Sequence, residues 1–296
     1  MKLLIIFNPM AGAGKAAKIL PSLRNYLAEQ SIDTEFMFTG KPGDATGLVA
    51  NASMAQYDGV IAAGGDGSVF EVLNGLYRHP RAARVPLGVI PIGTGNAFSR
   101  DLGLKPGEWQ NAVDLICRDN VQKIDVGHVR AADCEYHFLN IIGMGFAVDA
   151  GLTAKKMKFL GNVAYTLATL WNVVGLKSYH VRIEVDGMPI EQDNIFVEVS
   201  NTRYTGTTFL IAPGAKLDDG LLDVILLKKL GRLRLLKLFP TIYRGQHVDF
   251  EEVTTIQASH IRIESPPGML LAPDGEFAGH TPVEIRCLSQ DLEIFM

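Results

Sequence analysis

Three glycine-rich segments early in the chain carry the residue types that bind phosphate groups. Each follows a short apolar run, and the segments are Asn8–Lys15, Gly64–Ser68 and Pro91–Asn96. Glycines after a strand allow neighbouring backbone N–H groups to converge on an anion, and a helix that begins there adds its positive end. One such turn is a weak signal, but three at successive strand ends indicate a nucleotide-binding site rather than purely structural turns.

The first segment resembles a P-loop without satisfying its pattern. A Walker A motif requires glycine where this chain has Pro9, and serine or threonine where it has Ala16. Taken alone, the segment is equally consistent with a flexible turn between a strand and a helix. Lys15 and Arg100 are candidate cations for phosphate, and the alternative for both is a solvated helix charge.

The second segment adds a carboxylate to its glycines. Asp66 in so crowded a turn suits a ribose hydroxyl or a metal-bound water, and a helix is expected to begin near Ser68. The third segment, Pro91–Asn96, repeats the order of strand, glycine turn and helix. Because such loops open onto one edge of a parallel sheet, we expect all three segments to lie together.

Two acidic turns occur in the second half of the chain. They are Asp218-Asp219-Gly220 and Asp274-Gly275-Glu276, and each of them alone is better explained as an ordinary turn. None of the seven histidines lies in a recognisable nucleophile–base or metal-binding motif.

The pattern of the first 122 residues predicts an α/β nucleotide-binding domain with a parallel sheet covered by helices on both faces. Its predicted strands are Leu3–Phe7, Thr34–Thr39, Gly59–Ala63 and Leu87–Ile92, and its main helices are Lys15–Gln30, Asp44–Met54, a helix through Val69–Leu76, and Glu108–Arg118.

Residues 123–296 predict a second domain, a β-rich sandwich. Its predicted strands are Val181–Val185, Ile195–Val199, Leu222–Leu227, His260–Glu264, Val283–Cys287 and Leu292–Phe295, and one long helix is predicted over Lys155–Leu176.

Composition narrows the class of protein. A net charge of −4 and a pI near 6.0 do not favour binding to nucleic acid. The three separated cysteines indicate reduced thiols in the cytoplasm rather than disulfides or a zinc site. The first apolar run is too short for a signal peptide, and no stretch reaches the ~20 residues that a membrane span needs.

Taken together, these motifs resemble the diacylglycerol kinase catalytic family, and in particular its bacterial soluble, sphingosine-kinase-like branch of lipid kinases. The resemblance covers nearly the whole chain. It is carried by Asn8-Pro9 with Gly12, by Gly64-Gly65-Asp66-Gly67, by Gly93-Thr94-Gly95-Asn96 with Phe98, Arg100 and Leu102-Gly103, by Lys216–Leu221 and by Asp274-Gly275-Glu276. One departure is Ser68, where the family usually has threonine, but the hydroxyl group is retained.

The resemblance implies an ATP- and Mg²⁺-dependent transfer of phosphate to a lipid hydroxyl. Together with the glycine turns and the two cations, it gives this ATP-binding set: Asn8, Gly12, Lys15, Thr39, Gly64, Gly65, Asp66, Gly67, Ser68, Glu71, Thr94, Asn96 and Arg100. It also implies Mg²⁺ near Asp219, with backbone carbonyls of Lys216 and Leu221 as further ligands. For the proton acceptor, Glu276 is favoured, and Asp274 is its partner or alternative.

Two basic windows free of acidic residues suggest how an insoluble lipid could be reached. Residues 150–183 and 224–248 hold eleven of the 28 Lys and Arg residues, mixed with Phe159, Trp171, Leu233, Leu236, Phe239 and Tyr243. Such segments can dock on anionic lipid at ~1 kcal/mol per basic residue. The alternative is two solvated helix faces. We expect peripheral docking on the inner face of the membrane, and exposed sandwich edges would permit a homodimer without requiring one.

Rival interpretations remain open at this point. An NAD kinase or a phosphofructokinase-like enzyme could also carry Gly64–Ser68, although Gly93–Asn96 and the later acidic turns fit lipid kinases better. A non-catalytic nucleotide-binding regulator is the rival from another class. The identity of the lipid is not encoded in any motif of the sequence.

Overall fold

The computed structural model describes residues 1–157, 164–206, 208–266 and 268–296. The chain forms two compact units, of which the N-terminal unit contains residues 1–124 and 290–296 and the C-terminal unit contains residues 125–289. In the described ranges, no helix is long and apolar enough to cross a membrane.

The N-terminal unit is built on a parallel sheet. Its first four strands and five helices alternate along the chain: β1 Lys2–Phe7, α1 Lys15–Glu29, β2 Asp33–Phe38, α2 Asp44–Asn51, β3 Gly59–Gly64, α3 Asp66–Leu76, β4 Leu87–Pro91, α4 Ala97–Asp101 and α5 Trp109–Cys117. β1 pairs in parallel with both β2 and β3, and β3 pairs in parallel with β4. β1, β3 and β4 consist almost entirely of buried apolar residues, as expected for parallel strands covered on both faces. The predicted α/β fold is confirmed.

The C-terminal unit is predominantly antiparallel β structure. Its strands are β5 Val121–Ala131, β6 Glu135–Phe138, β7 Ile141–Gly145, β8 Tyr179–Val185, β9 Met188–Ser200, β10 Tyr204–Thr205, β11 Phe209–Leu210, β12 Leu222–Lys228, β13 Val253–Ala258, β14 His260–Glu264, β15 Leu271–Pro273 and β16 Val283–Phe295. The start of β5 and the end of β16 belong to the N-terminal unit. Its helices are α6 Phe146–Lys156, α7 Ala164–Val174 and α8 Arg232–Leu238. The long strand β9 organises the unit because it pairs with β7, β8 and β12. The predicted sandwich-like second domain is confirmed.

The observed division of the chain differs from the predicted one at the C-terminus. We assigned residues 123–296 to the second domain, but the last seven residues belong to the N-terminal unit. Ile294 pairs in parallel with Leu87, and Phe295 is buried in the core of that unit. Gly59 and Gly88 leave room for its ring, because a Cβ atom at Gly59 would lie 2.6 Å from it.

The predicted helix Lys155–Leu176 corresponds only in part to what the structure shows. α6 ends at Lys156 and α7 begins at Ala164. Residues 158–163, which include Lys158 and Phe159 of the first basic window, lie outside the described residues.

Candidate active site

The three glycine-rich segments meet at one edge of the N-terminal sheet. The backbone N–H of Asn8 donates to the carbonyl of Ala63, which joins the end of β1 to the end of β3. The N–H groups of Ile92 and Gly93 both donate to the carbonyl of Gly64, at 3.0 and 2.9 Å. The predicted convergence of the three segments is confirmed.

Glycine is required where the second and third segments touch. A Cβ atom added to Gly93 would lie 2.3 Å from the Cα of Gly65, well inside any real contact. The first segment is held in a similar way, because a Cβ atom on Gly12 would lie 2.8 Å from the carbonyl oxygen of Ile92. Because these glycines have no side chains, backbone N–H and C=O groups line the surface of the turns.

Several predicted ATP-binding side chains are engaged in shaping these turns. The side chain of Asn96 is buried, and its amide both donates to the carbonyl of Gly93 (2.9 Å) and accepts from its N–H (3.1 Å). Asn8 donates through Nδ2 to the hydroxyl of Ser68 (3.3 Å), linking the first and second segments. These three side chains therefore stabilise the geometry of the turns.

Asp66 lies against the start of α4. Its Oδ1 accepts a hydrogen bond from the backbone N–H of Phe98 at 3.3 Å. Burial raises the pKa of Asp66 to about 6, although backbone N–H groups of Phe98, Ala97 and Asn96 act in the opposite direction by stabilising the charged form. In this structure the carboxylate fixes the third segment to the second, and a contact of Asp66 with a ribose hydroxyl or a metal-bound water stays a prediction.

The remaining members of the predicted ATP set surround this edge. The N–H of Thr39 donates to the carbonyl of Phe7, which places Thr39 beside the end of β1. The carboxylate of Glu71 accepts from the N–H groups of Gly43 (2.8 Å) and Ala45 (3.0 Å), so it holds the start of α2. Thr94 is exposed on the third segment.

Two cations are available near the turns for an anionic ligand. Lys15 is exposed at the first residue of α1. The Nε of Arg100, on α4, is buried with no hydrogen-bond partner among the described protein atoms. A buried guanidinium N–H without a partner is costly, and an anion would satisfy it. Glycine turns in close contact and an unsatisfied guanidinium N–H are the donor set that a nucleotide phosphate needs, so the residues fit ATP.

In the C-terminal unit, the two acidic residues of the Asp274–Glu276 turn have different surroundings. Asp274 is buried, and its carboxylate accepts three backbone hydrogen bonds, from Leu139 (3.2 Å), Asn140 (3.0 Å) and Ile141 (3.0 Å). The Glu276 side chain is about half exposed and its Oε2 lies 3.6 Å from the Nζ of Lys155. Glu276 is the carboxylate that a substrate could reach, whereas Asp274 positions the turn.

The predicted Mg²⁺ segment, Lys216–Leu221, is held by a carboxylate that we did not predict. Asp125 is fully buried; its Oδ2 accepts from the N–H of Gly220 and its own N–H donates to the carbonyl of Leu217, both at 2.6 Å. Asp219 is exposed, and its Oδ1 accepts from the N–H of Leu221 at 3.1 Å. The donor set of one carboxylate and backbone carbonyls contains only hard oxygen atoms, which fits a largely hydrated Mg²⁺. Across the described ranges, no cluster of three or more His, Cys, Asp or Glu side chains forms a metal site.

One asparagine connects the two acidic turns. The Nδ2 of Asn201 donates to the backbone carbonyls of Asp125 and Leu139, both at 3.0 Å. Asp125 fixes the Lys216–Leu221 segment, and the N–H of Leu139 is held by Asp274. The two turns therefore belong to one buried hydrogen-bond network. Sequence reasoning missed Asn201 and Asp125, although an acid between Ile124 and Val126 was a usable signal.

Glycine turns that suit phosphate groups in one unit, and acidic residues presented on a buried network in the other, are features expected of a phosphotransferase. Comparison with known proteins identifies the class. Residues 2–129 match the diacylglycerol kinase catalytic domain, and residues 140–296 match the YegS C-terminal NAD kinase beta sandwich-like domain. The chain belongs to the diacylglycerol kinase catalytic family and is a kinase, as the sequence resemblance predicted.

Similar proteins extend the match over the full chain. The diacylglycerol kinase of Mycobacterium tuberculosis (strain CDC 1551 / Oshkosh) is 32% identical over 296 residues, covering 99% of this chain and 94% of that protein. The diacylglycerol kinase of Bacillus subtilis (strain 168) is 31% identical over 294 residues, covering 99% and 95%. A crystal structure of a candidate diacylglycerol kinase from Bacillus anthracis str. Sterne has a TM-score of 0.83 at 32% identity, covering 99% of this chain and 94% of that one.

Proposed function

We propose that the chain is an ATP- and Mg²⁺-dependent lipid kinase that transfers the γ-phosphoryl group of ATP to a lipid hydroxyl, with diacylglycerol as the first candidate acceptor. The observation that carries the proposal is the contact among the three glycine turns, which brings Gly65 and Gly93 together at one sheet edge. Relatives named diacylglycerol kinase, similar over almost the whole chain, support the choice of acceptor.

The N-terminal unit would bind the nucleotide. Backbone N–H groups of the glycine turns would hold its phosphates, and Lys15 and the Nε of Arg100 would balance their charge. Phosphoryl transfer depends mainly on alignment and charge neutralisation, and rigid backbone turns supply alignment without reorganisation. Asn8, Ser68 and Asn96 would act by keeping those turns in place.

The C-terminal unit would supply the acidic residues. When bound, Mg²⁺ neutralises charge on the transferring phosphoryl group. The Asp219 carboxylate and the carbonyls of Lys216 and Leu221 would hold it. Asp125 fixes this segment through its hydrogen bonds with Gly220 and Leu217. Glu276 would accept the proton of the attacking hydroxyl at a carboxylate oxygen, because its side chain is accessible.

A labelled-ATP assay tests the proposal. The full chain is incubated with γ-labelled ATP, Mg²⁺ and dispersed diacylglycerol, and labelled phosphatidic acid is measured. We expect Asp219→Ala and Glu276→Gln each to lower the rate by about a hundredfold or more. Glu264→Gln, on an exposed part of β14, serves as the matched control. Transfer of label at the wild-type rate in both site variants would overturn the assignment.

Membrane docking is the second part of the proposal. α7 and α8 are neighbours, since Nε of Arg232 donates to the carbonyl of Val174 at 3.1 Å. They leave large apolar side chains in water, among them Trp171 and Leu233, which are 69% and 78% exposed. Exposed apolar residues beside basic ones suit the surface of an anionic bilayer. We place the reaction at the cytoplasmic face of the membrane, in keeping with three cysteines that form no disulfide.

Vesicle co-sedimentation tests the docking surface. The wild type should sediment with vesicles of phosphatidylglycerol and phosphatidylcholine at low salt and release as salt rises. The double substitution Trp171→Ser and Leu233→Ser should weaken binding at least about tenfold. Met188→Ser is the control, because Met188, the first residue of β9, is likewise a largely exposed apolar residue, at 63%. Equal sedimentation of all three proteins would reject docking through α7 and α8.

A further inference from the structure

An apolar pocket lies within the C-terminal unit, and none of its wall residues belongs to the acidic turns. The wall is almost entirely apolar and comes from α6, β9, β11, α8 and the segment after α8, with these principal residues: Phe146, Phe196, Phe209, Leu235, Phe239 and Ile242. A pocket of this chemistry suits a hydrocarbon chain.

One ionisable side chain interrupts the apolar wall. Glu198 lines the pocket together with Phe196, two residues before it on the same face of β9. Its side chain is 7% exposed, and its Oε2 has no hydrogen-bond partner among the described protein atoms. No other described residue of the pocket wall carries an ionisable group.

The surroundings of Glu198 keep it in the neutral form. Burial alone raises its pKa to about 8, with no contribution from a neighbouring charge. At neutral pH the group is therefore a carboxylic acid with an O–H to donate. Opposite it on β7 stands Gly143, which has no side chain to receive that hydrogen bond. A buried donor without a partner favours a ligand that brings an acceptor.

The position of Glu198 along β9 connects the pocket to the Asp274–Glu276 turn. Ser200 follows on the same face, about 7 Å further along the strand, and its Oγ is likewise buried with no described partner. Ser200 pairs with Ile141, whose N–H is bound by Asp274. Along β9, the residues at the apolar pocket are therefore followed by the buried acid Glu198 and then by Ser200, which lies beside the strand held by the Asp274–Glu276 turn.

We propose that Glu198 determines specificity for an ester-linked lipid, by donating a hydrogen bond to an acyl-ester carbonyl while the acyl chain fills the apolar pocket. This inference rests on the proposed function, because it concerns the acceptor of the same reaction. In a diacylglycerol the ester carbonyl lies between the apolar chain and the reactive hydroxyl. Glu198 holds the corresponding place between the pocket and the Asp274–Glu276 turn.

An ester–ether comparison tests the role of Glu198. Binding of dioctanoylglycerol and of its diether analogue dioctylglycerol to the full chain is measured by isothermal titration calorimetry. The ethers retain the hydroxyl and the chains but lack the carbonyl groups. We expect the wild type to bind the ester about threefold to tenfold more tightly, the effect of one hydrogen bond. Glu198→Gln should keep this preference through its amide N–H, and Glu198→Leu should lose it.

A pH series on the wild type makes the test independent of whether a variant folds. Raising the pH from about 6 to about 9.5 ionises Glu198, and a carboxylate cannot donate, so the ester preference should disappear. A wild type without ester preference at about pH 6, or a preference that survives in Glu198→Leu or at about pH 9.5, would overturn the inference.

The calorimetry also separates this inference from the proposed function. Preferential binding of the ester without transfer of label to any lipid would reject lipid kinase activity and leave the role of Glu198 standing. Phosphorylation of ester and ether with equal KM and equal affinity would reject the role of Glu198 and leave the lipid kinase standing.

Discussion

Substituting Glu198 by glutamine should make the folded chain more stable, and the gain should grow as the pH rises. The carboxyl group of Glu198 is buried with an unpartnered Oε2, and burial raises its pKa from the usual 4.5 to about 8. Between these two values the folded chain keeps a proton that the unfolded chain releases. The contribution of Glu198 to stability is therefore fully present below about pH 4.5 and is lost as the pH approaches about 8.

The size of this effect follows from the two pKa values. Each pKa unit corresponds to about 1.4 kcal/mol, and between about pH 5 and pH 8 the linkage amounts to about 3 kcal/mol. Glutamine at this position does not titrate. The difference in free energy of unfolding between Glu198→Gln and the wild type should therefore increase by about 3 kcal/mol over that interval.

Urea unfolding at several pH values measures the difference. Two units can unfold separately, so the probe must report on the C-terminal one. In a Trp109→Phe background, Trp171 is the one remaining tryptophan, and it lies in the same unit as Glu198. Circular dichroism on the same samples checks that the fluorescence transition is an unfolding transition.

Glu264→Gln is the matched control, since Glu264 is an exposed carboxylate on β14 of the same unit. Its stability should follow that of the wild type at every pH. If Glu198→Gln and the wild type also change in parallel between about pH 5 and pH 8, Glu198 is not a buried neutral acid. The reasoning about its hydrogen bond to an ester would then lose its basis.

Three further predictions concern the proposed site. Gly93→Ala should lower ATP affinity, measured by calorimetry, about tenfold or more, because its Cβ would meet backbone at 2.3 Å, whereas Gly47→Ala, with open space around it, should bind normally. Asp274→Asn should lower the free energy of unfolding by about 1–3 kcal/mol by disrupting three backbone hydrogen bonds. Glu276→Gln should lower the rate in the phosphatidic acid assay by about a hundredfold or more and change stability by less than about 0.5 kcal/mol. Unfolding curves that do not distinguish the last two variants would contradict the roles given to them.

The glycine turns could be predicted from sequence because their signal is local. A buried strand, a run of glycines and a helix start lie within about ten residues of one another, and parallel topology then dictates where the turns meet. Nothing local shows that Gly93 must contact Gly65. That contact depends on β3 and β4 being neighbours in the sheet.

One strand of the C-terminal unit and the C-terminal residues of the chain were harder to predict from sequence. β7, Ile141–Gly145, contains two glycines and runs directly into α6, so its sequence has neither alternation nor a turn to mark its end. The C-terminal residues were assigned to the wrong unit because their apolar pattern fits either sheet. Only the pairing of Ile294 with Leu87 decides between them.

The roles of the polar residues depended on partners distant in sequence. Asp274 is bound by N–H groups more than 130 residues earlier in the chain, and Asp125 contacts Gly220 across 95 residues. Glu198 was included within a predicted strand as an ordinary member. Its burial depends on β7 and β12, which flank β9 in the sheet, and on the helices that cover this face of β9.

The two acids of the Asp274–Glu276 turn are not interchangeable, and the backbone explains why. Asp274 adopts a positive φ of 45°, and the N–H of Glu276 donates back to the carbonyl of Pro273 at 2.7 Å. This tight turn directs the Asp274 carboxylate inward, to the three N–H groups before and within β7, and leaves the Glu276 carboxylate in contact with solvent. A proton acceptor needs free lone pairs, and a positioning residue needs its own to be occupied. The geometry therefore favours Glu276 over Asp274 for the proposed proton transfer, and it gives Asp274 the role of holding the turn.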